Sequence, residues 1–100
     1  MEEILMPTQL IMENSLFTEL VDNKNVKKPA VILLMLLRTM YGKFGVCDIT
    51  NAQIAKIMHK SISTIQKLLK NLKDNGYIDT EIIYKEGTKE VDKRIIKIKV

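Results

Sequence analysis

An α+β domain, a three-helix core followed by a C-terminal β-hairpin, is the fold class this sequence predicts, and three observations predict it. Residues 50–75 hold two capped amphipathic helices that abut across a three-residue turn. Upstream, an apolar segment follows Pro29 and runs nearly unbroken to Leu37, the pattern of a helix buried on most sides. After Gly76 the apolar spacing changes from the helical period to alternation, which is the signal of strands.

Taken in order, residues 4–12 mix Ile4, Leu5, Leu10, Ile11 and Met12 around Pro7 and read as a strand or arm. Asn14 or Ser15 can cap a turn of helix in which Leu16, Phe17 and Leu20 face one way. Residues 23–28 form a polar linker, and Pro29 suits the first position of a helix over about 29–41, where its missing donor would have been unpaired anyway. Gly42 and Gly45 bracket a loop, and residues 46–49 are short and β-prone. Thr50 with Gln53 makes a capping box that starts a second helix, about 50–59, whose core face holds Ile54, Ala55, Ile57 and Met58. Ser61 caps a third, about 61–75. It buries Ile65, Leu68, Leu69 and Leu72 at i, i+3, i+4 and i+7 spacing and stops at Asn75-Gly76, a left-handed C-terminal signal. The hairpin is predicted from about 77–85 and 93–100, with Ile96, Ile98 and Val100 alternating against Lys97 and Lys99 around a polar, loose tip.

The chain has 100 residues, which bounds it to one domain, 1–100. Residues 1–50 carry five Lys/Arg against six Asp/Glu, whereas residues 51–100 carry eleven against six, so the formal charge of +4 sits in the half with the helix pair. One cysteine, Cys47, excludes an internal disulfide, and one histidine, His59, leaves no ligand set for structural zinc. Glu2 and Glu3 stand where a secretion signal carries positive charge, and the longest apolar run, 30–37, is far below the roughly 20 residues of a membrane span. A cytoplasmic protein with no metal, no cofactor and no small-molecule ligand is the expectation. So is the absence of catalysis: no local spacing joins the one His to the one Cys, and no glycine-rich phosphate loop precedes a helix.

The helix pair has the layout of a helix-turn-helix that reads DNA. From Ile49 to Lys73 the chain has no acid, and Lys56, Lys60, Lys67, Lys70 and Lys73 fall in that run. A merely solvated helix face mixes both signs. The leucine stripe leaves Ser63, Lys67, Lys70 and Asp74 outward, with Gln66 and Lys73 on one flank. Glutamine can pair bidentately with adenine, and lysine reaches guanine or phosphate, so Ser63, Gln66, Lys67 and Lys70 are the candidate contacts. Thr50, Lys60, Ser61 and Thr64 complete the set on the helix pair. Thr64 has two uses open to it, the backbone or a phosphate. Ile62 is expected to pack over Tyr77 or Met58, a thymine methyl being the alternative, and His59 to be an exposed turn residue. On the hairpin tip Lys85, Lys89, Lys93 and Arg94 are candidates for the DNA backbone or minor groove, Arg94 first among them. Lys97 and Lys99 are read as guards of an exposed strand edge.

The run Ile49 to Ala55, the segment Ser61 to Ile65, Leu68, Leu69 and Leu72, and Asn75 to Ile78 together resemble the winged helix-turn-helix module at the N-terminus of plasmid and phage replication initiators of the RepA and DnaD-like kinds. The upstream apolar helix and the downstream hairpin, with its Gly87-Thr88 and Arg94-Ile95-Ile96, are similar too, so the resemblance spans roughly 16–100. It implies a wing, duplex DNA as partner and a role in replication initiation. Transcription repressors share the same cassette, and some winged helices dock proteins without binding DNA. His59 and Lys60 stand where the family shows glycine and a small apolar residue. Initiators continue into a second domain, so a chain ending at the hairpin is expected to be a stand-alone DNA-binding protein or an excised domain. The apolar arm, residues 4–20, has two candidate partners, its own domain or a second copy, which leaves a homodimer through the arm or through the 29–41 helix as an alternative.

Overall fold

The computed structural model describes residues 14–100; the expected arm at 4–12 lies outside them. Its elements are α1 (Asn14–Asp22), α2 (Lys28–Tyr41), β1 (Val46–Cys47), α3 (Asn51–Met58), α4 (Ile62–Asp74), β2 (Ile78–Tyr84) and β3 (Val91–Ile98). The three-helix core, the short strand and the hairpin follow in the predicted order. One helix is longer than expected: α1 is nine residues, with Leu16 and Leu20 in the core and Phe17 turned half outward.

The predicted caps form. The Thr50 hydroxyl accepts from the Gln53 amide at 3.1 Å and the Gln53 side chain accepts from the Thr50 amide at 2.9 Å. Ser61 Oγ accepts from the Thr64 amide at 3.1 Å. At the other end of α4, Gly76 is left-handed (φ +82°), the Tyr77 amide reaches the Leu72 carbonyl and the Gly76 amide the Lys73 carbonyl, which is a Schellman closure. Pro29 falls at the second helical residue rather than the first, where its missing donor is equally harmless. The 23–28 linker is tied to α4: Asn71 accepts from the Lys27 amide at 3.0 Å and donates to the Asn25 carbonyl at 2.8 Å.

α2 is sheathed on most sides, with Ala30, Leu33, Leu34, Leu36 and Leu37 inaccessible to solvent. α4 buries Ile65, Leu68, Leu69 and Leu72, and packs on α2, α3 and β2. Each such side chain contributes about 1.5–3 kcal/mol on burial.

The sheet is antiparallel in the order β1-β3-β2, so β3 is central at its inner end. This overturns the edge-guard reading of Lys97, which is flanked by Val46 and Asp79; Lys99 lies past the end of β3, its amide on the Tyr77 carbonyl. Lys97 instead forms an ion pair with Glu81 across to β2 at 2.8 Å, and that hydrogen bond and charge raise its pKa. β1 needs a tight approach before it: a Cβ on Gly45 would collide with the Tyr41 carbonyl, and the Gly45 carbonyl accepts from Ile98 at 2.8 Å. β1 pairs only Val46 with Lys97 and Cys47 with Ile96, and from there outward the hairpin is two-stranded, with a bulge after Ile83.

The turn between α3 and α4 closes on His59, whose backbone is left-handed at φ +55°, ψ +45°; its amide reaches the Ala55 carbonyl. Histidine thus takes a conformation that glycine adopts without penalty, at a cost to L-residues of about 1–2 kcal/mol. His59→Gly is expected to leave thermal stability unchanged or raised. His59→Val, whose branched Cβ tolerates this region worst, is expected to lower it by about 1–2 kcal/mol in a denaturant melt.

Candidate nucleic-acid interface

α4 is held from behind by its leucine stripe, so its opposite face is committed to solvent. Ser63, Gln66, Lys67 and Lys70 are all exposed there, as the helical spacing requires. Lys67 has no ion-pair partner among the described residues. Lys70 does: its Nζ lies 2.8 Å from Asp74, one turn on, with both side chains largely in water. An exposed pair of this kind contributes only about 0.3–0.5 kcal/mol, so a phosphate can displace Asp74. Lys73, on the flank, donates to the Thr80 hydroxyl of β2 at 3.1 Å.

Ile62 differs from expectation. It is not part of the buried core but stays 48% exposed in the first turn of α4, beside Ser63 and Gln66, whereas Tyr77 is buried. The cap positions, by contrast, are already engaged. The Thr50 hydroxyl holds the α3 capping box. The Ser61 and Thr64 hydroxyls share a hydrogen bond at 2.8 Å, so the Thr64 hydroxyl is engaged by the cap side chain rather than by the backbone. Lys60 and His59 are exposed in the turn.

The wing is arranged differently from the sequence reading. Its tip is a turn organised by Thr88, which donates to the Lys85 carbonyl and accepts from the Glu90 amide, with Lys85 3.5 Å from Glu90 and Lys89 exposed. Lys93 pairs with Ile83 and Arg94 with Ile82, so the two basic residues point to opposite faces of the hairpin. Arg94 is therefore not a tip residue. Its guanidinium turns back onto the domain, donating to Asn51 Oδ1 and, at 2.6 Å, to the Ile49 carbonyl. Burial there lowers its pKa, and its Nε has no protein partner.

Between α4 and the hairpin lies a groove of about 410 Å³ whose polar lining is Asn51, Gln66, Lys70, Lys73, Asp74, Thr80 and Arg94. Three cations against one carboxylate give it a positive field, and it is open to solvent rather than enclosed. Sequence reasoning did not find Asn51 or Asn71, because each acts through a partner more than forty residues away, nor Thr80, whose partner Lys73 lies across the turn from α4 into β2.

No group of three or more His, Cys, Asp or Glu among the described residues is placed to hold a metal ion. Nor is any described helix long and apolar enough to cross a membrane. Three helices with an antiparallel hairpin behind them define a winged helix-turn-helix. In agreement, the family model for the helix-turn-helix domain matches residues 25–78, more than half of the chain, from the loop before α2 to the first residue of β2. The chain belongs to that family. No curated protein and no solved structure matches it significantly.

Cys47 is buried against β3, its thiol donating toward the Ile96 carbonyl, and burial pushes its pKa up to about 11 against the opposing charge of Arg94. The thiol is therefore expected to resist iodoacetamide in the folded protein at pH 8, labelling only as the domain unfolds. Because the folded pKa is raised, the associated stability is complete below pH 9 and is lost as pH rises from 9 through 11; a series of melts between pH 8 and 11 should show this decline.

Proposed function

We propose that this protein binds duplex DNA sequence-specifically, with the exposed face of α4 in the major groove and the wing on the adjacent backbone. One observation carries the reading: a rigid, doubly capped helix presents Ile62, Ser63, Gln66, Lys67 and Lys70 together from its N-terminal two-thirds, and the one acid on the helix lies in its last turn. A helix that enters the major groove by its N-terminal half brings that segment to the base edges. Gln66 suits adenine and Lys67 guanine or phosphate. The exposed Ile62 suits a thymine methyl, the alternative that its exposure favours. Lys85, Lys89 and Lys93 of the wing serve as backbone contacts.

The setting we propose is replication initiation of a plasmid or phage-like mobile element, on the strength of the resemblance in 16–100. Transcriptional regulation uses the same cassette and is the second reading. Selection of bound duplexes from a random pool, followed by a salt titration on the selected site, tests the proposal. Binding sites clustered in a replication origin support initiation, and a site in a promoter supports regulation. A protein-docking module would select nothing and show no steep loss of DNA affinity with salt.

Replacing Lys67 and Lys70 together by alanine should leave the melting transition intact, since neither touches the core, and weaken binding several-fold while lowering the salt slope. Gln66→Ala should act otherwise: preference at one or two base pairs relaxes by about 1–3 kcal/mol with little change in slope. A uniform loss across sequences would remove Gln66 from the reading role.

A further inference from the structure

We propose that Arg94 is a positioning residue: by bridging β3 to the start of α3 it sets the angle of the wing against the reading helix, so that the wing lysines meet the DNA backbone only while this clamp is closed. The inference rests on the DNA-binding reading above and names the device by which its two contact surfaces are kept in register.

The hairpin is anchored at its base by backbone bonds, Ile98 to the Gly45 carbonyl and Lys99 to the Tyr77 carbonyl, and by the Cys47 thiol on Ile96. The third strand ends at the pairing of Val46 with Lys97 and Cys47 with Ile96. Arg94 lies beyond it, opposite Ile82. The exposed Lys73–Thr80 bond sits two residues further in on β2, and Arg38 of α2 holds the Val100 carbonyl at the inner end, so Arg94 is the outermost of these side-chain ties between hairpin and helices. Everything outward of Arg94 is an unsupported two-stranded ribbon whose direction is decided at that residue.

The chemistry of the contact fits a clamp better than an ion pair. Arg94 has no carboxylate partner among the described residues. It stands at the N-terminus of α3, where the helix dipole opposes a cation, and it is held there by two neutral acceptors on adjacent stretches of chain, Ile49 and Asn51. A planar guanidinium meets both at once in one fixed orientation; an ammonium on a flexible stem does not. The acceptors are themselves rigid, because the Thr50–Gln53 capping box fixes the chain between them and the helix.

Asn51 permits a test that removes no charge. On the selected duplex, log affinity is measured against log salt for the full chain, for Asn51→Ala, for Arg94→Lys, for the wing variant carrying alanine at Lys85, Lys89 and Lys93, and for the wing variant combined with Asn51→Ala. Melts of each variant correct the affinities for folded fraction. The wing variant should lower the slope by about 2–3, near one unit per lysine. Asn51→Ala and Arg94→Lys, both charge-neutral changes, should each lower the slope most of the way to that value and weaken binding several-fold. The wing substitutions should then cost little more in the Asn51→Ala background. In the free protein, nitrogen-15 relaxation should show faster motion of amides 82–93 in Asn51→Ala than in the unaltered chain. Retention of the full slope by the charge-neutral variants, equal cost of the wing substitutions in both backgrounds, or unchanged relaxation overturns the clamp, whether Arg94 then touches DNA itself or only stabilises the fold. Failure of the unaltered chain to bind any duplex is a different result: it removes the DNA-binding reading, and the clamp's role with it.

Discussion

Burial of Ile65, Leu68, Leu69 and Leu72 against α2, α3 and β2 is the constraint on which the rest of the structure depends. At roughly 1.5–3 kcal/mol for each side chain, this stripe accounts for an amount of the same order as the net stability of a small domain. Its period is that of the helix, so fixing one face to the core fixes the other to solvent. The orientation of Ser63, Gln66, Lys67 and Lys70 is thus a consequence of hydrophobic packing on the far side of the helix. The polar residues contribute nothing to setting it. That separation leaves the outward face free to vary in chemistry without cost to the fold.

The second constraint is the length of β1. With only Val46 and Cys47 paired to β3, the sheet is three-stranded at its base and two-stranded beyond. An isolated two-stranded ribbon is marginal in water. The outer hairpin compensates with local chemistry, through the Thr88-centred turn and the Lys85–Glu90 pair, and with the inward reach of Arg94. Its exposed Ile82 and Tyr84 share a face with Arg94 and Thr80, so the apolar register of the strand continues past the point where the core ends.

What was legible in the sequence was local. Thr50 with Gln53, Ser61, Asn75-Gly76 and the leucine stripe each involve residues a few positions apart on one helix, and each sits where its spacing places it. Strand existence was legible from alternation in 93–100, but strand order was not: alternation says which face of β3 is buried and nothing about which neighbours flank it, so Lys97 reads as an edge residue although β3 runs between two strands there. The wing cations show the same limit. Lys93 and Arg94 are adjacent in sequence, which invites grouping, yet in a strand adjacency means opposite faces. The partner of Arg94, Asn51, is 43 residues away and carries no local signal, since an asparagine inside the first turn of a helix is unremarkable by itself.

These constraints divide the proposed interface into two parts of different mechanical character. α4 is set by a packed core, which resists small displacements steeply because close-packed side chains have nowhere to go. The wing is set by a few hydrogen bonds near one point, and each nanometre of ribbon beyond that point magnifies any angular change. Base readout needs hydrogen-bond geometry within tenths of an ångström, whereas attraction to a phosphate falls off slowly with distance. The stiffer element therefore carries the side chains suited to base edges, Gln66 and Ile62, and the more compliant one carries lysines. Arg94 stands at the junction of the two, with its fork on the segment that leads into α3, so a shift of that helix is transmitted directly to the ribbon that carries Lys85, Lys89 and Lys93.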